Sequence, residues 1–480
     1  MNITLFALNG SFSHTALSVR ALRAALADGG FAAQIVEGNL RDRTASLLHR
    51  LYLQDADVYA FSCYIWNIEQ MLALAGDLKA LRPNAKIVLG GPEVSFSTER
   101  FTDLSFIDHV ITGEGEVALP ALIGAIAAGR ASSKLIAGTP DPRFTERGIL
   151  YGKNEPVSSL VYYESSRGCP FSCAFCLSGA QGEAHRVRAK SAQRTLADLL
   201  EFEDFAGQLT VKLVDRTFNF DRERAKAIWR GLLDPRYTKT YHFEIAAQLL
   251  DEESFEILAR FPEGKIRLEI GLQSTNEETL AAVSRHTDAS AVLRAAERLV
   301  RDGGCLVHLD LIAGLPHEGL ERFARSFDAA YPACHELQLG FLKFLHGTPL
   351  RERAADFGAV FSQTPPYTVL KTDCLSPQEL YILHGIDALV DRLRGSGRFA
   401  NALPFILPRV PSAFAFYRDL DAYLQRVVGK EIQKISQRDL FWHLSHFCHT
   451  ILPQEDHAAL SEVLRADFAA AEVRRPPKGL

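Results

Sequence analysis

Short β-rich runs alternating with amphipathic stretches govern most of this chain, and that repeat limits the folds open to it. Between residue 2 and about residue 128, ITLFAL, AQIVEG, DVYAFS, KIVLGG and DHVITGE are strand candidates. Helical stretches such as TALSVRALRAALADGG separate them, with Gly29 and Gly30 supplying the stop. This order predicts a doubly wound, Rossmann-like α/β sheet over residues 1–135. ASS, GTPDPR and GKNEP give residues 129–160 turn chemistry throughout, so 136–159 reads as a linker.

A second alternation then runs through LVYYESSRG, QLTVKLVD, YHFEIAAQ, IRLEIGLQS, LVHLDLIAGLP and HELQLGFLKF. Each strand candidate precedes a helical segment, which predicts a full or partial (β/α) barrel over residues 160–350, with its chemistry at the C-terminal strand ends. Residues 351–480 turn mainly helical, as in SPQELYILHGIDALVDRLRG and SAFAFYRDLDAYLQRVV, and the tail RRPPKGL is expected to be disordered.

Three of the eight cysteines, Cys169, Cys173 and Cys176, fall in SSRGCPFSCAFC, just after the first strand of the second alternation. Pro170 blocks a regular helix directly after Cys169, so the loop can wrap around a compact object. Structural zinc sites pair one C-x2-4-C with a second pair, and no second pair exists here. An iron-sulfur cubane held by three thiolates leaves one iron open, which suits a chemically active site. The competing reading is a zinc loop closed by His185 or a distant cysteine. Cys63, Cys305, Cys334, Cys374 and Cys448 are scattered, which fits a reducing compartment.

The formal net charge of -5 and the lack of a long Lys/Arg run give no support for nucleic-acid binding. The start MNITLFALNG reads as a strand rather than a signal peptide, and VALPALIGAIAAG is too short to span a bilayer. A cytoplasmic protein without membrane association is expected.

The C-x3-C-x-aromatic-C pattern, with Phe175 as the aromatic, resembles the radical S-adenosylmethionine (SAM) superfamily over about residues 160–350. The resemblance implies a [4Fe-4S] cluster on Cys169, Cys173 and Cys176, with SAM on the open iron and cleaved by one electron to a 5'-deoxyadenosyl radical. An electron donor such as flavodoxin or ferredoxin is implied too. At the strand ends, Asp215, Asn219, Gln248, Glu269 and Gln273 are expected on SAM, and Gly314 and Leu315 as a backbone approach to adenine. Each is also readable as an ordinary solvated loop residue.

LGGPEVSF and ITGEGEVALP resemble the cobalamin-binding domain that precedes many such enzymes. That resemblance puts Ser62, Tyr64, Gly90, Gly91, Glu93, Glu114 and Gly115 near the corrin, although the D-x-H-x-x-G motif is absent. His14 is the nearby candidate for the lower face of cobalt, or else a solvated loop histidine; Tyr64 and Trp66 shield the corrin or belong to the core. Only Cys63 precedes Cys169, which argues against the second cluster of methylthiotransferases.

Residues 351–480 resemble an uncharacterised helical extension found in one branch of the cobalamin-type enzymes. In FWHLSHFCHT, His443, His446, Cys448 and His449 are metal-capable, yet an amphipathic helix explains them as well; Cys374 reads as a buried small hydrophobe or a substrate contact. The implied activity is methyl transfer to an unactivated carbon of a small-molecule or peptide substrate. The alternatives are a cobalamin-using cyclase, oxidising or ring-rearranging enzyme, a non-catalytic cobalamin or metal sensor, and, less favoured, tRNA modification.

Overall fold

The computed structural model describes residues 1–152, 155, 157–179, 187–429 and 432–471. They fall into two compact units, the first made of Met1–Glu244, Phe344–Arg351 and Ser362–Tyr367, the second of the remainder. The tail RRPPKGL and His185 lie outside the described residues.

The first unit opens with β1 (Ile3–Asn9), β2 (Gln34–Asn39), β3 (Val58–Ser62), β4 (Lys86–Gly90), β5 (His109–Thr112) and β6 (Leu135–Ala137). They form one sheet in the order β2-β1-β3-β4-β5-β6, parallel throughout. β1 and β3 are almost wholly buried, as apolar strands covered on both faces must be. Odd and even positions separate into two cores. Phe6, Leu8, Tyr59, Phe61, Ile87 and Leu89 pack with Leu47, Leu51, Met71, Leu74 and Leu78 of the helices Thr44–Tyr52 and Ile68–Leu81. Ile3, Leu5, Val58, Ala60 and Val88 pack with Val19, Leu26, Leu119, Leu122 and Ile123 of the helices Leu17–Asp28 and Gly115–Ala127. Each large side chain so buried contributes roughly 1.5–3 kcal/mol. The order reverses between β1 and β3, which opens the crevice where such sheets take ligands.

β6 corrects the reading of residues 129–160 as irregular throughout. Leu135–Ala137 adds a sixth strand in register with Val110–Thr112, and three residues are too few to reveal alternation.

The same unit continues with β7 (Leu160–Tyr163), β8 (Ser166–Arg167), β9 (Arg188–Ala189), β10 (Thr210–Leu213) and β11 (Thr240–Ile245). β10 pairs in parallel with β7 and β11, while β8 and β9 form a small antiparallel pair. Leu199, Ile228, Trp229 and Leu232, from the helices Ala192–Glu201 and Arg222–Leu232, are buried.

The second unit carries β12 (Ile266–Gln273), β13 (Cys305–Ala313) and β14 (Glu336–Phe341), again parallel. Their burial alternates residue by residue, so one face packs on helices and the other is half-open. Among the described residues, six rather than eight parallel strands follow Ser159, so the partial form of the barrel is realised. A short antiparallel pair, β15 (Val360–Phe361) and β16 (Val369–Lys371), follows. The helices Pro377–Val390, Ala413–Val428, Gln437–Ile451 and His457–Ala471 complete the unit. Ser376 and Glu379 close a reciprocal capping box on the first of these, with Pro377 opening its first turn. Among the described residues no helix is long and apolar enough to cross a membrane.

Candidate functional site

The three cysteines occupy one loop of the first unit, entered from β8 through Gly168 at φ +102. Cys169 and Cys173 are buried and Cys176 is half-buried, and none of the three is in a disulfide. Two successive turns wind the loop, with Cys176 N donating to Cys173 O at 3.0 Å and Gly179 N to Cys176 O at 3.1 Å. A Cβ on Gly179 would meet the Ser172 and Cys173 backbone at 3.0 Å, so the winding needs glycine there. Leu350 N donates to Ala174 O at 3.0 Å and fastens the middle of the loop.

Asp215 holds the root of the loop. Its carboxylate is fully buried, accepts Ser165 N at 2.8 Å and Ser166 N at 3.0 Å, and also takes the Ser165 hydroxyl. Arg224 donates to Ser165 Oγ at 2.7 Å and to Lys190 O at 2.8 Å, joining β8, β9 and a helix start in one network. Asp215 is therefore spent on the protein, which corrects the expectation that it meets SAM. Asn219 is buried in the turn that follows. Phe175 is half-buried in the loop.

Arg167, two residues before Cys169, donates to Glu164 at 2.7 Å and to Glu114 at 2.7 Å, and lies 2.9 Å from Glu116. Burial opposes its charge, but the three carboxylates outweigh that and hold the guanidinium protonated. Arg188 also pairs with Glu114, and Asp141 N donates to it at 2.9 Å. Glu114 thus ties the loop after β5 to the root of the cysteine loop.

At the C-terminal edge of the first sheet, Ser62 and Gly90 sit side by side in register. Ser62 is buried, with Oγ 2.8 Å from Ser18 Oγ. A Cβ on Gly90 would meet only Ile111 O, at 3.8 Å, so that face of the edge is open. Gly91, at φ +116, has Cys63 O 2.5 Å from where a Cβ would stand; only glycine fits. Tyr64 stacks on Trp66 at 4.4 Å, with Trp66 51 % exposed, and Phe12 in the loop after β1 is 72 % exposed. Gly115 opens the helix after β5, with Leu22 packed close to it.

Glu93 turns inward, takes the Tyr367 hydroxyl and lies 3.5 Å from Arg100. Burial pushes its carboxyl up, and its hydrogen bond with Tyr367 fastens the segment Ser362–Tyr367 to the first sheet. His14 Nδ1 shares a hydrogen bond with the Tyr162 hydroxyl. Burial and then Lys212 lower its pKa, so the ring is neutral near pH 7, with Nε2 left to meet a ligand.

Comparison with known proteins gives this geometry its family. The chain matches the B12 binding domain over residues 4–123, the radical SAM superfamily over 163–330, and the family described as protein of unknown function (DUF4080) over 355–479. The chain is a cobalamin-binding radical SAM protein. It is 25 % identical over 344 residues to 2-(S-pantetheinyl)-carbapenam-3-carboxylate methyltransferase of Streptantibioticus cattleyicolor, covering 64 % of this chain and 50 % of the relative. It thus spans about half the length of the curated relatives it matches. In fold it is similar to the cobalamin-dependent SAM radical enzyme OxsB, with a TM-score of 0.65 at 15 % identity, covering 98 % of this chain and 84 % of that one. It is also similar to the radical SAM methyltransferase TsrM of Kitasatospora setae, with a TM-score of 0.62 at 17 % identity, covering 88 % and 98 %. The cofactors of this radical SAM protein are accordingly a [4Fe-4S] cluster, SAM and cobalamin.

The residues present fit those groups. A single wound loop carries three cysteines outside any disulfide, and among the described residues no three His, Cys, Asp or Glu side chains converge on one metal ion. A cubane binds each thiolate to a different iron, so its ligands stand farther apart than those of a single ion. For the corrin, Gly90 leaves an open position at the C-terminal edge of the sheet, and exposed Trp66 and Phe12 lie in loops that follow β3 and β1 at that same edge.

The second unit of the radical SAM protein holds the other expected SAM contacts. Gln248 is half-buried three residues after the end of β11. Glu269 is half-buried in the middle of β12, paired in register with His308, which corrects the expectation that it ends the strand. Gln273, at φ +70, ends β12 and folds over Gly271, leaving its Oε1 buried without a partner. Gly314 and Leu315 are buried, and Val369 fills the space beside Gly314 at 2.7 Å from a would-be Cβ. That glycine serves packing on β16, which corrects the expected approach to adenine.

Thr217 and Glu318 were absent from the sequence expectations. Glu318 is 1 % exposed and accepts from Ser274 Oγ at 2.6 Å and Ser326 Oγ at 3.1 Å, while burial pushes its pKa to about 7. A carboxylate four residues after Gly314, beyond a strand end, was the available signal. Cys374 is exposed, contrary to the buried reading, while Cys448 is buried and His446 stacks on Trp442 at 4.0 Å.

Proposed function

We propose that the protein transfers a methyl group to an unactivated carbon of a small-molecule or peptide substrate, with Cys169, Cys173 and Cys176 as the cluster ligands. When bound, the cluster and SAM supply a 5'-deoxyadenosyl radical, and cobalamin a transferable methyl group. The protein's own work is positioning and the exclusion of water.

Asp215 and Arg224 fix the root of the cysteine loop, and Leu350 fastens its middle. Gly90 keeps a side chain away from the corrin and Gly91 lets the chain turn beside it, with Ser62 next to Gly90 and Tyr64 and Trp66 as an apolar flank. Gln273 and Gln248, at or after strand ends, and Glu269 on the half-open face of β12 are the polar groups for SAM, and His14 Nε2 is the candidate group for cobalt. Such chemistry needs no tuned acid–base pair, and an electron donor such as flavodoxin or ferredoxin would feed the cluster.

The observation that carries this reading is the Arg167–Glu114 link. It binds the ligand edge of a cobalamin-type sheet to a residue two positions from Cys169, as a reaction shared by the two cofactors requires. The test is anaerobic turnover with methyl-labelled SAM, reductant and candidate substrates. Label in the product together with 5'-deoxyadenosine is expected, and Cys169→Ala should yield neither. 5'-Deoxyadenosine with an unlabelled, altered product would overturn methyl transfer in favour of cyclisation or oxidation.

A further inference from the structure

Thr217 lies in the loop after β10, between Asp215 and Asn219, with its hydroxyl oxygen 3.6 Å from Cys169 Sγ. Thr217 is 5 % exposed and Cys169 9 %, so water scarcely competes for either group. The hydroxyl at present donates to Arg216 O at 2.8 Å. The next residue, Phe218, is fully buried, its ring centroid 4.4 Å from that of Phe243 and 5.6 Å from that of Trp229. This aromatic wedge fixes the turn, and the β-branched side chain of Thr217 has little χ1 freedom within it.

A cysteine thiol can donate a hydrogen bond to that hydroxyl. A thiolate bound to iron has no proton and can only accept, so within this pair the threonine must become the donor. We propose that Thr217 donates to the sulfur of Cys169 when Cys169 ligates the cluster, and thereby raises the cluster's reduction potential. The added electron of the reduced cluster is spread partly over its sulfurs. A donor aimed at one of them stabilises the reduced form more than the oxidised form, and the dry surroundings enlarge the difference. Thr217 is a positioning and tuning residue on this account; it does not touch SAM or substrate. The proposal rests on Cys169 being a cluster ligand, which a separate variant tests.

The experiment is an EPR-monitored redox titration of the full-length, anaerobically reconstituted protein, comparing wild type with Thr217→Val, Thr217→Ala and Thr217→Ser at equal iron and sulfide content. The midpoint potential is expected to move negative in the Val and Ala variants and to stay near wild type in Ser. An exchangeable-proton coupling to the reduced cluster, exchanged away in D2O, should be lost with the hydroxyl. Unchanged potentials and couplings in Val and Ala, at full cluster content, would overturn the proposal. If neither variant assembles a cluster, wild type and Thr217→Ser decide. A wild-type cluster with no exchangeable-proton coupling overturns the proposal, and one whose coupling weakens in Ser, where the hydroxyl turns more freely, upholds it. Failure of the ligand assignment looks different, because Cys169→Ala would then keep its full cluster.

Discussion

Gly90 and Gly91 are adjacent in sequence and opposite in role. Gly91 is required by the fold, since its φ of +116 and the Cys63 carbonyl exclude a Cβ. Gly90 faces open space, so its lack of a side chain matters to a ligand rather than to the chain. Gly91→Ala is therefore expected to destabilise the protein by about 2 kcal/mol or more. Gly90→Ala should leave the thermal midpoint within about a degree or two yet weaken cobalamin binding roughly tenfold, about 1.4 kcal/mol. Spectrophotometric cobalamin titration alongside thermal melts checks both, and equal effects of the two variants would contradict the division. Sequence reasoning found the diglycine but not this division, because only coordinates reveal what stands beside a missing Cβ. The same limit explains Asp215, Glu93 and Glu114. A carboxylate at a strand end is legible as polar, but whether it faces a ligand or a neighbouring arginine and backbone amides is settled by tertiary contacts far apart in sequence.

Among elements, the eleven longer strands were legible because each repeats apolar residues over four or more positions, as in IRLEIGLQ. β6 and β15 were not, since two or three residues carry no period. Glu318 illustrates a link between elements that pattern cannot show. It joins Ser274, just after β12, to Ser326 on the helix Leu320–Ala330. Burial raises its pKa from 4.5 to about 7, so the folded state holds this proton more tightly than the unfolded chain does. Below pH 4.5 both states are protonated and no penalty exists; as pH rises towards 7 the unfolded chain ionises first, and stability falls. The loss is on the order of 3 kcal/mol. Chemical-denaturation midpoints measured from pH 4.5 to 7.5 should show this decline in wild type, and Glu318→Gln should flatten it. An unchanged slope in the variant would place the titration elsewhere.

At the scale of the molecule, one chain carries a doubly wound sheet, a six-stranded barrel portion and a helical C-terminal region; the strand–helix alternation foretold the first two, and its fading beyond residue 351 the third. The cysteine spacing foretold the cluster, because three ligands with no partner pair leave few alternatives. The substrate was not legible, since the half-buried residues that alternate along strands such as β10, β12 and β13 form no local motif. The central claim is that Cys169, Cys173 and Cys176 hold a cubane with one iron open. Mössbauer spectroscopy of the 57Fe-reconstituted protein, with and without SAM, tests it most directly. The account predicts four irons per chain, one of which changes its signal when SAM is added, and loss of the cluster when the three cysteines are replaced by alanine. A mononuclear metal on those thiols, or four irons that all ignore SAM, would contradict it.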